Sequence, residues 1–544
     1  MVKFPTDLVI AICINITNNI QNSINLFERF IGENYISHLN YFYEEWKKVW
    51  WKKESFSDIN MIKDLISFYN ILKPEQRLNF IRREICKTEN IHIYDEHTFC
   101  EICDSGNCET VKYLIEYAKS INSPINIHVC NERVLNNACA KGNLDVIKYL
   151  IGYTNSINSP INIHISRELA FYNACKKGKL DIVRFLIGYT NSINSPIDIH
   201  IGNEEAFRIA CRKGKLDIVR FLIEYTNSIN SPINIHVGNE QAFRIACCRG
   251  NLDIVKYLIE YTVSIDTPIN IHVGNEQAFR IACCRGNLDI VKYLIEYTVS
   301  INSPIDTHSN NEIAFWNVCR KGHLNIVKYL IEYTNSINSP IDIHIYDEEA
   351  FYIACYSGNL DIVRFLIEYA NSINSPFSIH VHDEKVFLDV CKKGHLNIVR
   401  FLIGYTNSIN NPINIHVNEE QAFYDVCDSG NLDMVRFLIE YANSINSPIN
   451  IHVHDEKVFW NVCKKGYLNI VKYLVRYSKS INSPIDVYMK SDWGITSVYL
   501  SGQYEVIKFI FKHYVVPPRL ICEGINTTKS NKIKKFLTEH LLCV

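Results

Sequence analysis

The hydrophobic and polar positions of this chain follow one pattern that repeats every 36 residues. Each copy contains a glycine, and these glycines lie at Gly106 and at every thirty-sixth position as far as Gly502. We number positions from this repeat glycine, so that position −6 lies six residues before it. An unbroken period of this length predicts a solenoid, in which stacked copies of one unit form an extended body.

The segment before each glycine has its apolar residues on one narrow helical face. In one copy these are Ala242, Phe243, Ala246 and Cys247, a spacing typical of a helix with one buried stripe. Asp, Asn or Ser occupies position −11 in ten of the twelve copies, and these residues are typical helix N-caps, whereas glycine typically ends a helix. The pattern therefore predicts a first helix from about −11 to the glycine.

The segment after each glycine is apolar over most of its circumference. Positions +2, +4, +5, +7, +8, +9 and +11 are nearly always apolar, and only +3, +6 and +10 form a polar stripe. This predicts a second helix packed on several sides, behind a first helix that lines an exposed surface. The basic residue at +6 usually precedes a glutamate by four residues, which predicts ion pairs along the stripe.

An Asn-Ser-Ile-Asn-Ser-Pro loop and a short Ile-Asn-Ile-His finger complete the unit. Residues 322–331, Gly-His-Leu-Asn-Ile-Val-Lys-Tyr-Leu-Ile, resemble the core signature of ankyrin repeats, and the similarity extends over about residues 90–516. The resemblance implies an all-α, ankyrin-like α-solenoid of about twelve 36-residue helix-turn-helix-finger repeats with atypical helical caps. The Asn- and Ile-rich units also resemble the ankyrin arrays of large DNA viruses.

This sequence departs from the ankyrin pattern in two ways. Its finger is three residues longer than a 33-residue unit allows. The Thr-Pro-Leu-His helix start of the family is replaced by Glu-x-Ala-Phe, so we expect the family's buried histidine contact to be missing.

The two ends of the chain do not follow the repeat closely. We predict an N-terminal helical segment over residues 1–52, a helical N-cap over 53–89, repeats over 90–488, and a degenerate last repeat with a C-terminal cap over 489–544. In the last copy Tyr488 replaces the finger histidine and Tyr499 replaces a cysteine. Atypical terminal units are what a solenoid needs to keep its ends soluble.

The start of the chain resembles an F-box, a module that recruits the linker protein of cullin-type ubiquitin ligases. The residues that carry the resemblance are Phe4, Pro5, Asp7, Leu8, Ile12 and Ile16, with Trp46 and Trp50 near the place of a late tryptophan. The resemblance implies a substrate adaptor whose partners include that linker protein. The alternative interpretation is an ordinary amphipathic capping helix.

Composition narrows the class of protein and its compartment. A net charge of −2 argues against a protein that binds nucleic acid over its whole surface, so any charged site is local. Eleven of the twenty cysteines, from Cys103 to Cys463, lie at position −3, and copies one helix-packing distance apart are too distant for disulfides. Reduced core cysteines and no membrane-spanning run or targeting segment predict an intracellular, cytoplasmic protein, in the host cytoplasm if it is viral.

The sequence offers little chemistry for catalysis. Eleven finger histidines recur from His92 to His452, but zinc ligands lie about 2.0–2.3 Å from one ion, and histidines one repeat apart cannot do so. We expect these histidines to hydrogen-bond neighbouring residues, and we predict no metal and no cofactor. Because Gly-rich phosphate loops, HExxH and Gly-x-Ser-x-Gly are also absent, we predict that the protein is not an enzyme.

The informative positions are those that vary between copies. Position −6 carries residue types that dominate interface hot spots, namely Tyr172, Arg208, Arg244, Arg280, Trp316, Tyr352, Tyr424 and Trp460. Position −1 carries a basic ladder, namely Lys177, Lys213, Arg249, Arg285, Lys321, Lys393 and Lys465.

Two interpretations of these positions remain open, beside a third and less favoured function class in which the basic ladder binds nucleic acid. In the first, a monomeric protein-interaction scaffold binds an acidic or extended protein partner through a concave first-helix surface and the finger tips. In the second, the cations complement helix C-termini and the aromatic residues pack on the adjacent finger.

Overall fold

A computed structural model describes residues 93–486 and 493–542, and within these ranges all regular secondary structure is helical. The segments predicted over 1–52 and 53–89, the eight F-box-like positions, His92 and Tyr488 lie outside the described residues. The chain divides into two compact units, of which the first ends at Asn270 and the second begins at Ile271.

The first unit contains five helix pairs among the described residues. Its helices are α1 Ile93–Asp104, α2 Cys108–Ser120, α3 Val129–Lys141, α4 Leu144–Ser156, α5 Ile165–Lys177, α6 Leu180–Ser192, α7 Ile201–Arg212, α8 Leu216–Ser228, α9 Val237–Arg249 and α10 Leu252–Ser264. The odd-numbered helices are the predicted first helices and the even-numbered ones the second helices. First helices of successive repeats pack side by side, as α5 does between α3 and α7.

The second unit continues the same order and ends in a cap. Its repeat helices are α11 Val273–Arg285, α12 Leu288–Ser300, α13 Ser309–Lys321, α14 Leu324–Ser336, α15 Ile345–Tyr356, α16 Leu360–Ser372, α17 Val381–Lys393, α18 Leu396–Ser408, α19 Val417–Ser429, α20 Leu432–Ser444, α21 Lys457–Lys465 and α22 Leu468–Ser480. A twelfth pair and two further helices follow, namely α23 Trp493–Ser501, α24 Tyr504–His513, α25 Pro518–Thr527 and α26 Asn531–Leu541.

The apolar pattern places the core where the sequence predicts it. Every described phenylalanine at −7 and cysteine at −3 is almost completely buried, as Phe243 and Cys247 show with 0% exposure. On the second helix, positions +4, +5, +8 and +9 are buried while +3 and +10 face solvent. The predicted solenoid unit, a narrow-faced first helix against a broadly buried second helix, is confirmed.

Residues with left-handed backbone conformations end both helices. Gly250 caps α9 with φ 77°, as the sequence predicts, because glycine has no Cβ to clash in this region. The second helix ends two residues before an asparagine such as Asn230, which has φ 56°. Asparagine tolerates this conformation better than most residues, which explains its place in the Asn-Ser-Ile-Asn loop.

The predicted N-cap at −11 is wrong. In α7 this residue is Asn203, which has φ 57° and ψ 61° and lies inside a left-handed turn formed by Gly202, Asn203 and Glu204. Equivalent turns precede the right-handed part of the first helix in most described repeats. The turn redirects the chain, so the side chain of Glu204 faces the next repeat and not the end of its own helix.

The buried cysteines yield a prediction about chemical labelling. Burial raises the pKa of Cys139 to about 12 and raises that of Cys175 still further, so the reactive thiolate is scarce at pH 8. We expect iodoacetamide at pH 8 to label the exposed Cys522 and to spare Cys139 and Cys175, as read by peptide mass mapping. Labelling of all three at similar rates before guanidinium is added would contradict the buried ladder.

Among the described helices, none combines the length and the apolar character that crossing a bilayer requires.

Candidate protein-binding surface

A buried glutamate at −10 joins each described repeat to the next one. Glu204 is 5% exposed. Its Oε1 accepts a hydrogen bond from the backbone N–H of Asn234, in the next finger, at 3.1 Å. It lies 2.9 Å from Nδ1 of His200, whose Nε2 lies 3.0 Å from the hydroxyl of Ser231 in the following loop. This carboxylate therefore ties its own finger to the next repeat.

The same arrangement, which we call the His–Glu clamp, recurs in both units. The Nδ1 atoms of all ten described finger histidines lie 2.6–2.9 Å from the glutamate four residues later. In the second unit, burial raises the pKa of Glu312, although the hydrogen bond from His308 opposes the shift. The left-handed φ of the glutamate costs about 1–3 kcal/mol, and the clamp's hydrogen bonds offset that strain.

The clamp confirms one expectation about histidine, since the finger histidines do hydrogen-bond neighbouring residues, as predicted. Within residues 93–486 and 493–542, no cluster of three or more His, Cys, Asp or Glu side chains has the geometry of a metal site.

The predicted hot-spot residues at −6 all lie on first helices, and none is fully exposed. Tyr172, Arg208, Arg244, Arg280, Trp316, Tyr352 and Tyr424 are half-buried, and Trp460 is buried. Their partial exposure leaves both interpretations of this position possible.

The arginines at −6 bind the left-handed turn of their own repeat. Arg244 donates from Nε to the carbonyl of Asn239 and from Nη2 to that of Gly238, both at 2.8 Å. Arg280 makes the same two hydrogen bonds to Asn275 and Gly274. A planar guanidinium can bridge two carbonyls that no helical N–H reaches, so these arginines stabilise the turn.

A pattern within the sequence could have shown this role. Arginine occurs at −6 only in the three copies that have glycine at −12, which are Gly202, Gly238 and Gly274. Likewise, a glutamate follows each finger histidine by four residues. Pairs that change or persist together along an array indicate contact, whereas single positions do not.

The aromatic residues at −6 make lateral contacts in the second unit. The hydroxyl of Tyr352 donates to Asp389 at 2.9 Å, and burial followed by this bond raises the pKa of Tyr352. Lys385 lies 5.1 Å from the centre of the same ring. The Trp316 ring meets Tyr346 edge to face at 5.5 Å. Each ring keeps part of its surface accessible beside a charged or polar neighbour.

The basic ladder at −1 is the most accessible part of this surface. All seven of its residues are exposed. In the second unit Lys465 forms an ion pair with Asp428 at 2.8 Å, which raises the pKa of Lys465, and Lys393 lies over the ring of Tyr356. The other five form no side-chain hydrogen bond or ion pair with the described part of the chain, namely Lys177, Lys213, Arg249, Arg285 and Lys321.

On the second-helix face, basic residues at +6 form cation–π contacts with rings of the next repeat. In the first unit Arg184 lies 5.3 Å from the ring centre of Phe221 in the next repeat, and Arg220 lies 5.2 Å from that of Tyr257. The second unit repeats this contact, for example between Arg400 and Phe437 at 4.7 Å. The next ring lies within reach of these +6 cations. Arg184 and Arg400 have glycine at +10 and so no glutamate for the predicted ion pair, whereas Lys112 at +6 does form an ion pair, with Glu109 at 2.9 Å.

Comparison with known proteins identifies the repeat. A family model described as ankyrin repeats (3 copies) matches overlapping segments that together cover residues 97–376, namely 97–197, 135–233, 171–269, 207–305 and 279–376. No curated protein matches the chain.

Proposed function

Because the chain belongs to the ankyrin-repeat family, we propose that it is a protein-interaction scaffold that binds partners through its first helices and the loops at −2 to +1. One observation carries the proposal. On the first helix, the residues that recur in most copies, such as Phe243 at −7 and Glu204 at −10, are buried or form the clamp, whereas the exposed or half-buried residues at −2 and −1 differ from copy to copy. A constant frame that carries a variable surface is what a binding scaffold requires.

Site-specific photo-cross-linking in the full chain tests which face binds. A benzophenone amino acid replaces Lys213 or Lys321 at −1, and in matched controls replaces Glu224 or Glu332 at +10 of the same repeats; all four positions are exposed. We expect partner adducts from the −1 positions and at least about fivefold fewer from the +10 positions. Equal yields from the two faces would show that the proposed face is wrong.

The adaptor hypothesis is a second candidate, and the spacing from Phe4 to Ile16 supports it. In an F-box these apolar positions would contact the ligase linker protein, which would couple the scaffold to an enzyme supplied by others. The test is binding of the purified linker protein to the full chain and to a Leu8→Ala, Ile12→Ala variant. The hypothesis predicts binding that the variant loses, and it fails if the wild-type chain does not bind.

A further inference from the structure

Two successive loops of the first unit concentrate positive charge. The C-terminal ends of α5 and α7, together with the loops that follow, have basic residues at −2, −1 and +1, which are Lys176, Lys177, Lys179, Arg212, Lys213 and Lys215. We call these six residues the double-loop cluster. Lys141 and Arg249 occupy position −1 in the flanking repeats, so basic residues continue over four loops.

The lysines at +1 stand where the neighbouring repeats have a residue that forms a hydrogen bond between repeats. In the flanking repeats of the same unit this residue is asparagine, and its side chain donates to a carbonyl of the preceding repeat. Asn143 donates to Cys103 at 3.0 Å, and Asn251 donates to Cys211 at 2.6 Å. Lys179 and Lys215 form no side-chain hydrogen bond with the described residues, so this link between repeats does not account for them.

These two lysines instead join neighbouring loops. A methyl group built on Gly142 would come within 2.7 Å of the Lys179 ammonium, and one built on Gly178 within 2.7 Å of Lys215 Cδ. Each lysine side chain therefore runs across the glycine of the preceding loop. The cations of successive loops form one strip and not two separate patches.

Among the described residues of the first unit, no partner neutralises the charge of this strip. Apart from Lys176, which lies 5.8 Å from the ring centre of Tyr172, the cluster has no ion pair, cation–π contact or side-chain hydrogen bond with the described residues. The nearest acids along the chain are the exposed Asp181 and Asp217. Six cations against two aspartates leave a local positive potential that attracts an anionic partner.

We propose that the double-loop cluster binds an acidic, extended protein segment, an inference that rests on the proposed scaffold function. Loops one repeat apart lie about 8–10 Å apart, and an extended peptide advances about 3.3 Å per residue. A carboxylate at every third residue would therefore meet each loop, and about nine residues would reach from Lys141 to Arg249. The aspartate at +3, in the first turn of the helix after each loop, would repel the continuous phosphates of a nucleic acid but leaves room for spaced carboxylates.

Fluorescence polarisation on the full chain tests this inference. The probe is a labelled nonapeptide, (Glu-Ser-Gly)3, and the comparison probes are (Lys-Ser-Gly)3 and a single-stranded DNA nonamer. We expect the acidic peptide to bind and the basic peptide not to bind. Failure of the acidic peptide to bind at millimolar concentration, or tighter binding of the DNA, would overturn the inference.

The decisive variant is Lys179→Asn with Lys215→Asn, which restores the residue of the flanking repeats. We expect peptide binding to weaken about fivefold to tenfold while the thermal midpoint stays the same or rises, since asparagine can again donate to a carbonyl. The matched control is Lys472→Asn with Lys508→Asn, which removes the same charge from exposed +6 positions on the second-helix face of the second unit and should change affinity less than twofold. Equal losses in both variants would indicate non-specific attraction and would overturn the inference. The photo-cross-linking experiment needs no acidic probe, so it can support the scaffold function even if the acidic peptide does not bind.

Discussion

Replacing Phe351 by alanine is expected to destabilise the second unit by about 3–5 kcal/mol. Phe351 is 0% exposed at position −7 of α15, and its ring stacks on Phe377 of the next finger, with ring centres 4.8 Å apart. Alanine would remove the ring and leave a cavity that the stacked helices cannot close. Urea unfolding measures the free energy, and peptide-resolved hydrogen exchange should locate the loss around α15, because repeats contact only their neighbours.

The partner ring supplies the control. Other repeats have isoleucine where this one has Phe377, for example Ile341 and Ile413. Phe377→Ile therefore restores the usual residue, and we expect it to cost less than about 1.5 kcal/mol. If Phe351→Ala also cost no more than this, the phenylalanine at −7 would not be the core residue that its burial indicates.

The Glu204→Ala variant is expected to lose about 2–3 kcal/mol in the first unit. The substitution removes the acceptor that Asn234 N–H and His200 share, and it leaves a strained left-handed residue without the bonds that offset its cost. Thermal unfolding gives the size of the effect. Hydrogen exchange at the Asn234 amide should accelerate, since that N–H loses its partner.

Glu205→Ala is the matched control for this variant. Glu205 is the next residue in the chain, but its side chain is exposed, so its removal should change stability by no more than about 0.5 kcal/mol. A Glu204→Ala variant as stable as Glu205→Ala would contradict the His–Glu clamp as a link between repeats. A clamp confirmed in this way would explain why His and Glu recur at fixed spacing along the array.

The predictions from sequence differ most from the structure at the candidate binding surface. The sequence picks out Arg244 and Arg280 as hot spots because arginine is frequent at interfaces, whereas their guanidinium groups hydrogen-bond the left-handed turn. Half-buried rings such as Tyr352 and the exposed loop cations remain the better candidates for partner contact. The proposed binding face consequently shifts from the middle of the first helix towards the loop at its C-terminal end.

The sequence by itself determined the number of repeats, the order of helices, the buried face of each helix and the glycine that ends the first one. These features follow from local periodicity, because side chains 3.6 residues apart share a helical face wherever the helix lies. Only the tertiary structure showed the left-handed turn, the direction of the Glu204 carboxylate, the cation–π contacts of the +6 residues and the proximity of the two basic segments in the double-loop cluster. Each of these features depends on residues about one repeat apart in the chain. A local sequence pattern does not show which side chains come into contact when successive repeats pack together.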